Sequence, residues 1–310
     1  MPESAEVTRE ILRKVRQVEI RSRRFVTETM GGAYHSVFKG QGMDLEDVRE
    51  YATGDDVRDI DWNITAKMDK PFVKKYREER ELTIMLCVDL SASGNFGSTD
   101  QSKRDIAAEL ASVLAFSATR NNDKVGLLLF TDKIEKVILP KKGRQHVLRV
   151  IREVLFFEPT NSGTNIVLAL NTLNKILRRK SILFLLSDFL TEDSLSWIRP
   201  SITTYGDLFK TVTLTNKRHD LICVEISDPR EFELPNVGII NLEDAESGET
   251  VEVDTGNSEY RILYKQQNQR RRVSLKRGFQ QSGVDHLSVS TDRHYITALR
   301  EFFRLRERRK

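Results

Sequence analysis

The sequence predicts an α/β protein: a doubly wound, mostly parallel sheet carrying an N-terminal extension. Three observations predict it. Apolar runs such as "LTIMLCVDL" from residue 82, "SILFLLSDF" from 181 and "DLICVEIS" from 220 are nearly continuous. A strand with one wet face alternates, whereas a parallel strand covered on both faces does not. Between these runs lie helical patterns of a dozen or more residues, the length a parallel crossover needs. Finally, the runs end in oxygen-bearing side chains, and ligands of such sheets bind at the carboxyl ends of the strands.

The elements follow in order. Residues 5–20 place Val7, Ile11, Val15 and Val18 at helical spacing. Residues 31–42, "GGAYHSVFKGQG", read as loop. "TGDDVRDIDWNITAKM" reads as a short helix capped by Asp55 or Asp56, with Tyr51 and Trp62 as packing anchors and Arg49 and Arg58 as ion-pair partners. After Pro71, "FVKKYREER" reads as a half-exposed strand. The core then runs from strand "LTIMLCVDL" to helix "KRDIAAELASVLAFSATR", strand "KVGLLLFTD" with its hairpin partner "KIEKVILP", and helix "RQHVLRVIREVLF". Loop "PTNSGTN", helix "IVLALNTLNKILRR", strand "SILFLLSDF", helical stretch "TTYGDLFKTVTLTNKR" and strand "DLICVEIS" follow. "VGIINLEDAESGETVEVDT" reads as a hairpin turning at "ESGE". A charged helix over about 258–280, strand "DHLSVST" and a helix from about 292 close the chain. The division is an extension over 1–79 and the α/β domain over 80–310.

The formal net charge of +4 on 310 residues is too small to imply nucleic acid. The basic stretches "NQRRRVSLKR" and "RLRERRK" lack interleaved aromatics and read as solvated faces. No apolar run reaches the roughly 18 residues of a membrane span, and the N-terminus lacks the apolar centre of a signal peptide. A cytoplasmic protein is expected. Cys87 and Cys223 sit in apolar runs and read as buried thiols. His35, His146, His219, His286 and His294 are scattered, and neither a GxxxxGK[ST] loop nor a GxSxG elbow is present. Asp55, Asp56, Asp59 and Asp61 could form a nuclease-like metal site, but their spacing on one helix scatters them.

The chemistry concentrates at the strand ends. Asp89, Ser91 and Ser93 follow the first core strand, Thr164 lies in the loop before a core helix, and Asp188 ends another core strand. Two carboxylates and three hydroxyls make a hard-oxygen set suited to Mg²⁺ or Mn²⁺. The pattern Asp89-x-Ser91-x-Ser93, Thr164, Asp188 resembles the metal-ion-dependent adhesion site of von Willebrand factor A domains. "GMDLEDVREYATGDDVRDIDWNITAK", residues 42–67, resembles the signature of the domain of unknown function 58 family, which joins this segment to a von Willebrand factor A-like domain. The resemblance implies a bacterial protein working with a MoxR-type AAA+ ATPase in a chaperone or assembly role. Longer members carry transmembrane helices ahead of this region; none is read here.

The expectation is therefore a non-enzymatic, metal-dependent adaptor. Asp89, Ser91, Ser93, Thr164 and Asp188 would hold Mg²⁺ or Mn²⁺, and a client protein would supply an acidic residue to it. The alternative is a metal-dependent hydrolase at the same site, which lacks a general base that can be placed. A third reading is a scaffold that binds no metal.

Overall fold

The computed structural model describes residues 15–20, 22, 26, 44–68, 70–77, 81–190, 205–246 and 248–309. The glycine-rich stretch 31–42 and the first half of the N-terminal helix, with Val7 and Ile11, lie outside the described residues. Residues 15–20 are helical, and Val15 and Val18 join the main hydrophobic core.

The stretch 53–68 differs from a single capped helix, while the strand read after Pro71 is present. Strand β1 (Asp44–Glu50) pairs antiparallel with β2 (Phe72–Arg77). Between them, a 3-10 turn at Val57–Asp59 is separated from helix α1 (Trp62–Met68) by Ile60, whose extended backbone bridges to Val73. The break has a local cause. Asp56 accepts from the Arg58 N–H at 3.0 Å and caps the turn, whereas Asp61 accepts from the Asn63 N–H at 3.0 Å and starts the helix afresh. Arg49 pairs with Asp55 at 2.6 Å, as the sequence led one to expect. Trp62 does not pack as an anchor: it is 66 % exposed.

The central sheet has six strands. They are β3 (Thr83–Asp89), β4 (Lys124–Phe130), β5 (Ile134–Lys141), β6 (Ile182–Ser187), β7 (Asp220–Ser227) and β10 (Asp285–Ser290), in the spatial order β10-β7-β6-β3-β4-β5. All pairings are parallel except the β4–β5 hairpin. Gly126 sits at the irregularity of that hairpin, where a Cβ would lie 2.9 Å from the Ile138 carbonyl oxygen. The helices are α2 (Lys103–Arg120), α3 (Arg144–Phe156), α4 (Ile166–Ile176), α5 (Gly206–Arg218), α6 (Ser258–Gln281) and α7 (Tyr295–Arg309). A separate hairpin, β8 (Ile239–Glu243) with β9 (Thr250–Asp254), precedes α6.

Strand β3 shows why the apolar runs are continuous. Ile84, Leu86 and Val88 point into the core under α2, α3 and α7; Met85 and Cys87 point into the core under α4, α5 and α6. Each large side chain so buried contributes about 1.5–3 kcal/mol. Both thiols lie buried and unpaired in the second core. Burial pushes the Cys87 and Cys223 thiols up, which disfavours their thiolate forms.

The chain leaves β3 for β4 on one side and returns to β6 on the other. The strand order therefore reverses at β3, and the crevice of a doubly wound sheet opens at its carboxyl end, where Asp89 stands.

Candidate metal centre

Leu90 extends the parallel ladder by donating its N–H to the Phe130 carbonyl, and the chain then turns through a 3-10 segment, Ala92–Asn95. Ser91 occupies the cap position of that segment but makes no side-chain capping bond. Its hydroxyl lies 3.0 Å from the Ser93 hydroxyl, and both residues are buried. Capping thus does not account for the two serines. Asp89 accepts from the Ser91 N–H at 2.9 Å through one oxygen and from the Ser187 hydroxyl at 2.6 Å through the other.

Asp188 follows Ser187 at the end of β6. It accepts from the Leu190 N–H at 3.0 Å and also from the Ser93 hydroxyl. The turn that aims it requires Phe189 at φ 54°, a left-handed conformation that a bulky residue adopts at a cost. Phe189 is held there by burial, with its ring edge-on to Phe279 at a centroid distance of 5.1 Å. Thr164 is brought in by the loop before α4. The Ala92 N–H donates to the Ser162 carbonyl at 2.9 Å, tying the two loops together. Asn165, not Thr164, caps α4, accepting from the Leu168 N–H. That leaves the Thr164 hydroxyl free to donate to Glu246 in the turn of the β8–β9 hairpin, at 2.6 Å.

Asp89, Ser91, Ser93 and Asp188 therefore meet directly, and Thr164 meets the same groove through Glu246. Four further residues belong to the constellation: Lys103, Ser187, Glu231 and Glu246. Lys103 is 3 % exposed; its ammonium donates to Asp188 at 2.6 Å and to Glu231. One signal for Lys103 was present in the sequence. It is the first residue of α2, and a cation at the positive end of a helix dipole needs a local reason to be there. Ser187 adjoins Asp188 in the same apolar run. Glu231 and Glu246 look like surface acids in sequence and carry no such signal.

Burial, and then the charge on Asp188, push the Asp89 carboxyl up to about 7. Burial also works to raise Asp188, but the Lys103 ammonium outweighs it and holds that carboxyl below its ordinary value. Burial raises Glu231. Burial opposes the charge on Lys103, but Asp188 and Glu231 overcome it and raise the ammonium. Asp89 and Asp188 share the pit with the Lys103 and Arg104 side chains, and Glu231 meets the same ammonium, so three carboxylates stand against two cations when all are ionised.

Asp89, Ser91, Ser187 and Asp188 line a pit of about 20 Å³. That is room for one water-sized group. Among the described residues no three His, Cys, Asp or Glu side chains are gathered as a metal cage. The donors are two carboxylates and neutral hydroxyls, a hard set whose chemistry fits Mg²⁺ or Mn²⁺. Beside the pit runs a groove of about 360 Å³, walled by Phe96, Leu234, Ile240, Leu242 and Tyr264. Ser93, Lys103, Glu231 and Glu246 also face it.

The protein that this fold and family signature define is an α/β domain with its polar cluster at the strand ends. The chain belongs to the family described as protein of unknown function DUF58, which it matches over residues 47–274. It is similar to an uncharacterized protein of Mycobacterium tuberculosis, 28 % identical over 296 residues, covering 95 % of this chain and 89 % of that one. Solved structures similar to it include BatB from Bacteroides thetaiotaomicron, with a TM-score of 0.44, 14 % identity, and 73 % of this chain and 99 % of that chain covered. The VWA domain of SpRpn10 is similar with a TM-score of 0.35, 14 % identity, and 71 % and 94 % covered. Among the described residues no helix is long and apolar enough to cross a membrane.

Proposed function

We propose that the protein is a metal-dependent adaptor that captures an acidic side chain of another protein at the carboxyl end of β3. The observation that carries this reading is the pit itself: two buried carboxylates and converging hydroxyls, with an apolar groove alongside. Asp89, Ser91, Ser93, Thr164 and Asp188 would hold Mg²⁺ or Mn²⁺, directly or through waters. The cation would supply an electrophilic position for an incoming carboxylate. Neutral hydroxyls suit this task, because they fix a cation without cancelling its charge. The groove beside the pit, apolar in its walls and charged at its rim, provides the contacts that would distinguish one acidic partner from another.

A MoxR-type AAA+ ATPase, working with this chain in the assembly or remodelling of a client, is the partner the family resemblance favours. The chain carries no phosphate-binding loop of its own, so nucleotide energy would come from that partner. The test is affinity capture from a native lysate with the wild type and Ser91→Ala, each in Mg²⁺ and in EDTA. An AAA+ ATPase retained only by the wild type in Mg²⁺ is expected. The same proteins retained in all four conditions would refute the reading.

A further inference from the structure

The β8–β9 hairpin places one carboxylate of its own against the candidate site. Glu246 lies 82 residues beyond Thr164 in sequence, yet it accepts the Thr164 hydroxyl at 2.6 Å. Its backbone carbonyl accepts the Ser162 hydroxyl at 3.2 Å, so the turn is pinned to the same loop twice. The turn is built to present this residue. Asp244, 4 % exposed, accepts the Glu246 N–H at 2.9 Å through its side chain and the Gly248 N–H at 2.8 Å through its carbonyl. Among the described residues no lysine or arginine pairs with Glu246, although it is half-buried and shares the groove with Ser93, Lys103 and Glu231. Burial and the charges on Asp188 and Asp244 work against its ionisation, and the Thr164 hydroxyl and backbone N–H oppose them. A divalent cation in the pit would turn that repulsion into attraction.

We infer that Glu246 is the site's resident carboxylate: it stands in the groove beside the pit, on the side from which a partner's acidic side chain would enter, and the β8–β9 hairpin is a lid that a bound divalent cation fastens. This rests on the metal reading above. A partner carboxylate then enters by exchange with Glu246, and exchange frees the hairpin from the loop at 162–164.

The experiment uses the full chain, its Glu246→Gln and Glu246→Ala variants, and Mn²⁺ and Mg²⁺ as probes. Free Mn²⁺ is counted by its paramagnetic resonance signal during a titration. Amide hydrogen exchange over residues 239–254 is followed in Mg²⁺ and in EDTA. In the wild type, Mg²⁺ should slow exchange of the hairpin amides. Both variants should lose Mn²⁺ affinity by about tenfold or more, the scale on which removing a supporting group weakens a metal site. Both should also lose the slowing by Mg²⁺. The glutamine can still accept the Thr164 hydroxyl, so Glu246→Gln should match the wild type's exchange in EDTA; this separates loss of the charge from loss of the turn. Wild-type Mn²⁺ affinity and an unchanged Mg²⁺ effect in Glu246→Gln would overturn the inference and leave the metal reading standing. No Mn²⁺ binding by the wild type would overturn both.

Discussion

Lys103→Met is the substitution that asks most of the structure. Among the described residues the ammonium is the only cation bonded to Asp188, whose side chain is 4 % exposed, and it also pairs with Glu231, 13 % exposed. Methionine fills a similar volume and supplies no charge, so the variant strips Asp188 and Glu231 of the ammonium they share. Removing one partner from a buried ion pair costs about 3–5 kcal/mol. For a domain of this size each kcal/mol moves the melting temperature by roughly 2–4 °C, so a fall of roughly 6–20 °C is expected in EDTA. Two further signatures follow. Lys103 holds the Asp188 carboxyl below its ordinary value, so the bond contributes stability above that value and loses it as pH falls. The penalty in the variant should therefore shrink toward acid, where Asp188 and Glu231 take up protons. Adding Glu231→Gln to Lys103→Met should recover part of the loss, because one unpaired charge goes with it. Thermal melts of the four proteins at neutral and mildly acidic pH decide the matter. A Lys103→Met variant melting within about 2 °C of the wild type would refute the claim that this ammonium compensates buried carboxylates.

Two other substitutions test the scaffold. His219, buried at the end of α5 with no hydrogen-bond partner on either ring nitrogen among the described residues, is held below the ordinary imidazole value by burial and by Arg218. The unfolded chain therefore takes up a proton first as pH falls through that value, and stability drops with it. His219→Leu should flatten the change in urea midpoint between about pH 7 and pH 5; an unaltered slope would place the acid sensitivity elsewhere. At Gly278 of α6, a Cβ would fall 1.9 Å from Cζ of the Phe209 ring. Gly278→Ala should lose about 1–3 kcal/mol to overpacking, less about 1 kcal/mol of helix propensity. Phe209→Leu in the same chain should restore most of it, as measured by denaturant unfolding.

What could be read in advance divides along a physical line. The strands were legible because both faces of the sheet are covered: Leu183, Phe184, Leu185 and Leu186 are apolar in succession since each has a core to enter. Asp89, Ser91, Ser93 and Asp188 were legible because they interrupt or follow such runs at one end of the sheet. The break at Ile60 was missed because Asp56 and Asp61 are both good caps, and only the pairing of Ile60 with Val73 shows that two short elements use them separately. Trp62 was misread for a related reason. An aromatic residue amid a dense signature reads as a packing anchor, but its exposure is set by neighbours that no local pattern reveals. Glu231 and Glu246 are ordinary charged residues in charged surroundings, and Lys103 carried only its odd place as a cation at the start of a helix. Their burial beside Asp188 and Thr164 arises from the crossing of loops 80 to 130 residues apart, which periodicity does not encode.

The same crossing bears on how such a site would select its partner. An open site with a divalent cation would accept any acidic side chain that reached it, because a carboxylate alone carries little identity. A resident carboxylate changes the equilibrium that a partner faces. If the hairpin stands open about one time in a hundred, a partner binds about a hundredfold more weakly than it would to the open form. A stray carboxylate competes poorly with Glu246, which is tethered and therefore present at high effective concentration. A partner that also packed on the groove walls that stay behind, Phe96, Leu234 and Tyr264, would gain apolar burial that the hairpin's glutamate does not. The proposed lid would weaken every acidic ligand alike, and only a ligand shaped for those walls would recover the difference.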